Sequence, residues 1–322
     1  MKMGLLTLCT AIMMSLVPGA QADNAYPQRP IKIIVPYTPG DGPDITARLI
    51  GDHIAQQLGQ PVVIENKPGA SGQIGLAQTA RAEPDGYTLG VGLVTNLSLA
   101  PHAYKDVSYS SLEDFSPVAL VAMNYLALVT RPDAPFENVT EMIGWAQDHP
   151  GELSVGTTSV GGLPHMSLEM LAHQNDFTFL NVPYQGNSAI VTDLMGGLLD
   201  IGLNAYTSIA DQIESGKLKL LGITYPERDP QLPELPAISE FVDGYSSTGW
   251  FGIVAPAGVP EDILEQLNLA INEAIESDKM QKTMHTLGLI PVTESKGYFA
   301  QFLEEEDEKF ARLVKDIGYE PM

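Results

Sequence analysis

Cysteine is nearly absent: the chain has one in 322 residues, Cys9. That residue falls inside an expected leader, so the mature chain has no disulfide and no thiol nucleophile. Basic side chains are scarce as well, with 17 Lys and Arg against 40 Asp and Glu and a formal charge of −23. This balance argues against nucleic acid and anionic membrane surfaces as partners. It also repels an anionic ligand at long range, so an anion site has to work through local dipoles. Catalytic signatures are missing. There is no H-E-x-x-H and no P-loop, and Ser159 sits in G-x-x-S-x-G, offset by one from a nucleophile elbow. The acidic run 304–308 (EEEDE) lacks the spaced Asp/Asn–Gly loop of a calcium site and reads as a solvated helix face. His53, His149, His173 and His285 have no paired ligand spacing and read as surface or capping residues. No catalytic residue, metal or cofactor is assigned, and the chain reads as a non-enzyme. Past residue 22, no apolar run approaches the ~20 residues that span a bilayer.

What is present begins with a leader. Lys2 is a short positive n-region, Gly4 to Val17 is apolar, and Ala20-Gln21-Ala22 is a small-x-small cleavage site. Residues 1–22 are expected to be a signal peptide cut after Ala22, giving an exported chain. Roughly 300 residues then remain, enough for two domains of ~150.

The mature chain opens on a strand, Ile31-Lys32-Ile33-Ile34-Val35, whose apolar β-branched run suits a buried parallel position. A turn through Tyr37, Thr38, Gly40, Asp41 and Gly42 leads to a helix with Ile45, Leu49, Ile50, Ile54 and Leu58 on one face. Pro43 suits the first helical position, and Asp44 suits the positive end of the helix dipole. A second strand at 61–66, a turn at 67–72, a helix to Ala80 and a third strand at 87–94 complete a β-α-β-α-β run. That alternation predicts a parallel sheet covered on both faces. The long run 116–131 predicts a strand that crosses a hinge near 123–125 into a second sheet. There a helix at 138–149 precedes strands at 153–158, 178–183, 200–204 and 217–225, with helices at 165–173 and 188–196. Segment 226–249, rich in Pro, Gly and Ser, reads as the return linker. A strand at 250–255 and helices at 261–276, 278–287 and 294–316 close the chain.

Four strand ends carry polar or glycine turns that enter helices: 37–44, Thr95-Asn96, 157–162 and 184–187. Ligands of open α/β sheets bind beyond the carboxyl ends of the strands. Two such lobes facing one another would aim several helix N-termini at one cleft. Single residues keep two readings. His165 could donate to a ligand or cap its helix; Tyr37 and Tyr184 could wall a pocket or pack at strand ends; Trp250 suits core or hinge packing.

The phrases VPYTPGDGPDITARLI, VVIENKPGASGQIGLA, PDGYTL, VPYQGNSAIVTDLMGG and WFGIVAPAGVPEDILEQLN recur in order over nearly all of the mature chain. In these the sequence resembles the extracytoplasmic solute receptors of the tripartite tricarboxylate transporter family, the Bordetella uptake gene type. The resemblance implies an α/β, type 2 periplasmic binding protein: two α/β lobes joined by two crossover segments, with a ligand cleft between them. Lobe 1 would be 23–123 with 227–322, and lobe 2 would be 124–226. It implies a small organic carboxylate as ligand (a di- or tricarboxylate or an aromatic acid), membrane permease subunits as partners, and a monomer as the default state. Carried over by position, the ligand set is Tyr37, Thr38, Gly40, Asp41, Gly42, Asp44, Thr95 and Asn96 from one lobe. The other lobe supplies Thr158, Ser159, Gly161, His165, Tyr184, Gly186 and Asn204. Asp41 replaces a glycine of the family's Pro-Gly-Gly-Gly loop, and the Val-Gly-Gly-Leu-Pro loop at 160–164 is less polar than its usual Gly-Ser-rich counterpart. Two rival roles share the same pocket or its rim: presentation of ligand to a membrane sensor kinase, and an exported hydrolase using Ser159 and His165.

Overall fold

The computed structural model describes residues 26–158, 160–184 and 186–321. The expected leader and its cleavage site lie outside those residues, and so does Ser159. Along the chain, β1 (Ile31–Val35), α1 (Gly42–Leu58), β2 (Val62–Asn66), α2 (Gln73–Ala80) and β3 (Thr88–Leu93) come first. A π-helical segment at Val94–Leu99 and the short α3 (Ala100–Ala103) lead to β4 (Phe115–Asn124). Then follow β5 (Leu126–Thr130), α4 (Val139–Asp148), β6 (Leu153–Thr157), α5 (Leu163–Gln174), β7 (Phe179–Pro183) and α6 (Asn187–Met195). The rest comprises β8 (Ile201–Ala205), α7 (Ala210–Glu214), β9 (Lys219–Ile223), β10 (Gly249–Pro256), α8 (Glu261–Glu276), α9 (Asp278–Thr286), β11 (Ile290–Pro291) and α10 (Lys296–Asp316).

Two sheets form, in the orders β11-β4-β10-β3-β1-β2 and β7-β6-β8-β5-β9. The β-branched run of β1 is completely buried at Ile31, Ile33, Ile34 and Val35, as a strand covered on both faces requires. The β-α-β-α-β run forms the parallel strands it predicts, and each sheet as a whole is mixed. β1 pairs parallel with β2 and β3, whereas β10 runs antiparallel to both β3 and β4. Connectivity explains this. β4 leaves the first sheet toward the second, so the returning β10 enters at the same end and runs against its neighbours. The second sheet mirrors the pattern, with β6 parallel to β7 and β8 but β5 antiparallel to β8 and β9.

The expected long strand is two strands, β4 and β5, separated at Tyr125, which is buried among Ile223, Leu235 and Ala237. The crossings are tied together there. The Leu126 N–H donates to Thr224 Oγ1 at 3.0 Å, and the Ser247 N–H donates to the Thr224 carbonyl at 3.0 Å. Ser247 Oγ also lies 2.6 Å from Ser167 Oγ on α5, and Tyr245 Oη donates to the Ser167 carbonyl. Trp250 is buried edge-on to Phe299 and Phe302, and its indole N–H donates to Glu306 at 2.9 Å. One carboxylate of the acidic run is therefore a core residue rather than part of a solvated face. Among the described residues no helix is long and apolar enough to cross a membrane.

Candidate functional site

The C-terminal ends of β1, β3 and β6 meet around a hollow of about 270 Å³ between the two lobes. Tyr37, Ser71, Thr95, Leu99 and Tyr104 line it from the first lobe, and Thr158, Gly161, Gly162, Leu163 and Pro164 line it from the second. A larger hollow, about 790 Å³, runs along α2 beside Lys32, Ile74 and Arg81 on one lobe only. It gathers no set of strand ends, so the interlobe hollow is the candidate site.

On the first-lobe side the walls are held from behind. Tyr37 Oη lies 3.1 Å from Thr95 Oγ1 and accepts from Asn96 Nδ2 at 3.3 Å. Asn96 is fully buried; its Oδ1 accepts the Leu93 N–H at 2.8 Å and its carbonyl accepts from Tyr109 Oη at 2.5 Å. Asn96 therefore positions Tyr37 and Thr95 and does not line the hollow itself. Burial pushes the Tyr37 phenol up; the Thr95 bond opposes this and the Asp41 charge adds to it. The π-helical turn at Val94–Leu99 re-aims Thr95 and Leu99 relative to a regular helix.

The glycine loop after β1 is committed to its own fold. Asp44, 2% exposed, accepts from the Gly40 N–H at 2.9 Å, from Arg48 Nε at 3.0 Å and Nη2 at 2.9 Å, and from Asn66 Nδ2 at 2.8 Å. Burial alone would raise its carboxyl pKa; the bonds from Arg48, Gly40 and Asn66 outweigh burial and hold it below the ordinary carboxylate value. Thr38 Oγ1 donates to Asp41 Oδ2 at 2.7 Å, and Asp41 is the N-cap of α1 with no side-chain capping bond. Gly42 begins α1. None of Thr38, Gly40, Asp41, Gly42 and Asp44 lines the hollow.

Across the cleft, Gly161 (φ +72°) donates its N–H to His165 Nδ1 at 3.0 Å. Because Nδ1 accepts, the ring proton belongs on Nε2, which lies 3.2 Å from Glu169 Oε1. His165, 6% exposed, thus fixes the loop instead of facing the hollow. Helix α5 starts beside it with Gly162 as N-cap, no side-chain cap and Pro164 in its first turn. An uncapped helix start at the wall of a hollow is a seat for an anion.

Tyr184, Gly186 and Asn204 stand at neighbouring strand and helix ends but outside the lining. Tyr184 Oη donates to Asp193 Oδ2 at 2.6 Å; that bond, with burial second, pushes the phenol up to about 12. Gly186 is the uncapped N-cap of α6. Asn204, 1% exposed, donates from Nδ2 to Asn187 Oδ1 at 3.1 Å and leaves its own Oδ1 buried without a partner. Thus Tyr37, Thr95, Thr158 and Gly161 come together with Gly162, Leu163 and Pro164 of the less polar 160–164 loop, while Ser71, Leu99 and Tyr104 are lining residues that sequence reasoning missed. No charged side chain lines the hollow among the described residues, and none of them form a group of three or more His, Cys, Asp or Glu able to hold a metal.

The model of the tripartite tricarboxylate transporter family receptor matches residues 46–319. The chain belongs to that receptor family. BugT of Bordetella pertussis is 32% identical over 303 residues, covering 92% of this chain and 91% of BugT. A solved R. palustris protein with adipate is 29% identical with a TM-score of 0.75, covering 92% of this receptor and 100% of that chain. MatC from Rhodopseudomonas palustris, solved with bound malate, is 29% identical with a TM-score of 0.71, covering 90% of this receptor and 100% of that chain. The receptor is thus a solute-binding protein of periplasmic-binding-protein fold, and members of its family are receptors rather than enzymes.

Proposed function

We propose that this receptor binds a small organic carboxylate between its lobes in the periplasm and delivers it to a tripartite tricarboxylate-type membrane permease. The observation that carries the reading is the uncapped start of α5 at the interlobe hollow, ringed by the hydroxyl-bearing residues Tyr37, Ser71, Thr95, Tyr104 and Thr158. A hydrogen bond to a charged group contributes ~1.5–3 kcal/mol. A helix dipole end adds ~0.3–1 kcal/mol, up to ~2 when partly buried. Three or four such contacts reach the ~8 kcal/mol of micromolar affinity without an arginine clamp. The adipate and malate held by two relatives support the ligand class.

In this reading residues 23–123 with 227–322 move as one body and 124–226 as the other. The bonds joining Leu126, Thr224 and Ser247 form the hinge. Ligand binds the closed state better and shifts the population toward it, and the permease reads the closed form. A thermal-shift panel of carboxylates, amino acids and neutral sugars tests this. A rise in melting temperature with carboxylates is expected; stabilisation by a sugar alone would overturn it.

A further inference from the structure

Helix α10 packs with the first lobe, on β4, α3 and the Val94–Leu99 segment. It stops in a way that aims one side chain. Ile317 is the C-cap and Gly318 takes the left-handed conformation at φ +64°. The Gly318 and Tyr319 N–H groups donate back to the Lys315 and Val314 carbonyls at 3.2 and 3.0 Å. This is a Schellman stop, which satisfies the last carbonyls of the helix and fixes the residue after the glycine. The Tyr319 ring so placed reaches the second lobe. It stands edge-on to the His165 ring, with 6.4 Å between centroids and 63° between planes.

His165 is the side chain through which the second lobe holds its ligand loop, since its Nδ1 takes the Gly161 N–H and Gly161 lines the hollow. Glu169 lies on its Nε2, and Phe179 of β7 meets its ring edge-on at 6.3 Å. Of these four neighbours of His165, only Tyr319 comes from the first lobe. The contact is made by the ring and not by the hydroxyl, because Tyr319 Oη is buried with no hydrogen-bond partner. Edge-to-face rings stabilise beyond the area they bury, whereas a buried hydroxyl without a partner costs free energy.

We propose that Tyr319 is a positioning residue for the ligand loop of the opposite lobe, acting through His165. With the lobes together, the Tyr319 ring confines the imidazole, the imidazole keeps the Gly161 N–H, and the 160–164 loop stays where it lines the hollow. With the lobes apart the ring is withdrawn, and His165 and its loop gain freedom. Closing the cleft and ordering its second wall are then one event. The hydroxyl opposes the contact, so a phenyl ring in its place does the same work at least as well. This rests on the two-lobe reading above and deepens it.

Hydrogen exchange of single backbone amides, followed by NMR in the ligand-free receptor, tests the proposal. The Gly161 amide reports the His165 bond, and the Gly40 amide, held by Asp44 in the first lobe, is the internal control. Tyr319→Ala should speed exchange at Gly161 about two- to tenfold, the range of one edge-to-face contact, and leave Gly40 unchanged. Tyr319→Phe should exchange at Gly161 as slowly as the native receptor, or more slowly. An unchanged Gly161 rate in Tyr319→Ala overturns the proposal, as does a Tyr319→Phe receptor that exchanges as fast as Tyr319→Ala. Equal acceleration at Gly161 and Gly40 overturns it too, because that is a loss of overall stability and not of position. No ligand enters the measurement, so each of these failures leaves the carboxylate reading standing, and that reading fails on the thermal-shift panel alone.

Discussion

Replacing Asp44 with Asn keeps the shape of the side chain and removes its charge. The carboxylate accepts four hydrogen bonds of 2.8–3.0 Å while only 2% exposed, so the substitution leaves an amide N–H facing at least one donor. Breaking a fully buried ion pair costs roughly 3–5 kcal/mol. Here Arg48 has a side chain 48% exposed and rehydrates on losing its partner, which lowers the figure to about 2–4 kcal/mol. Its pH dependence has a definite sign. The folded carboxyl has a depressed pKa, so its stabilisation is complete above the unfolded value of about 3.9 and is lost as pH falls through the folded value. Urea melts of native and Asp44→Asn receptor should therefore differ by about 2–4 kcal/mol at pH 7, and by less at pH 3. A gap below ~0.5 kcal/mol at pH 7, or one of equal size at both pH values, would refute the view that Asp44 holds the first loop together.

Two further substitutions probe the walls and the hinge. Gly72 sits at φ +91°, and a Cβ built on it would lie 2.4 Å from Asn96 Nδ2. Gly72→Ala should cost about 2–4 kcal/mol from backbone strain and overpacking and weaken ligand binding by displacing Tyr37, which a urea melt and a titration check together. At the hinge, Tyr125 Oη donates to Asp229 Oδ2 at 2.7 Å, and burial first, then Asp229, pushes the phenol well above its ordinary range. The raised value stabilises the fold below about pH 10 and is lost as pH rises above it. Thermal midpoints of the native receptor should thus fall more steeply above pH 10 than those of Tyr125→Phe, with the variant about 1–2 kcal/mol less stable at neutral pH.

Much of this architecture was legible because local signals agree with it. The Ile31–Val35 run, Pro43 and Asp44 mark a strand and a helix start that the structure realises as β1 and α1. The helix expected at 138–149 is α4, where the Asn138 side chain accepts from the Glu141 N–H as N-cap. The two-residue β11 and the five-residue α7 were not legible, since so short a stretch has no period. The antiparallel course of β10 depends on where the chain re-enters the sheet, which no local pattern encodes. At the site, strand-end reasoning reached Tyr37, Thr95, Thr158 and Gly161, and the same rule applied to the turn after β2 would have reached Ser71. Leu99 ends a π-helical segment and Tyr104 is the C-cap of α3, positions that hydrophobic spacing does not reveal. The Asp44–Arg48 spacing of four was readable as an ion pair, yet its consequence, a Gly40 N–H turned away from any ligand, emerges only in three dimensions.

The central claim is that the guest lies in the hollow between the two lobes. Thr158 lines that hollow and is half-buried, so Thr158→Trp fills the space while its bulk can still reach solvent. Calorimetric titration of native and Thr158→Trp receptor with the same carboxylate, alongside a melt showing that the variant is folded, tests the claim directly. The account predicts loss of affinity by at least about a hundredfold; a folded variant that binds the carboxylate as the native receptor does would contradict it.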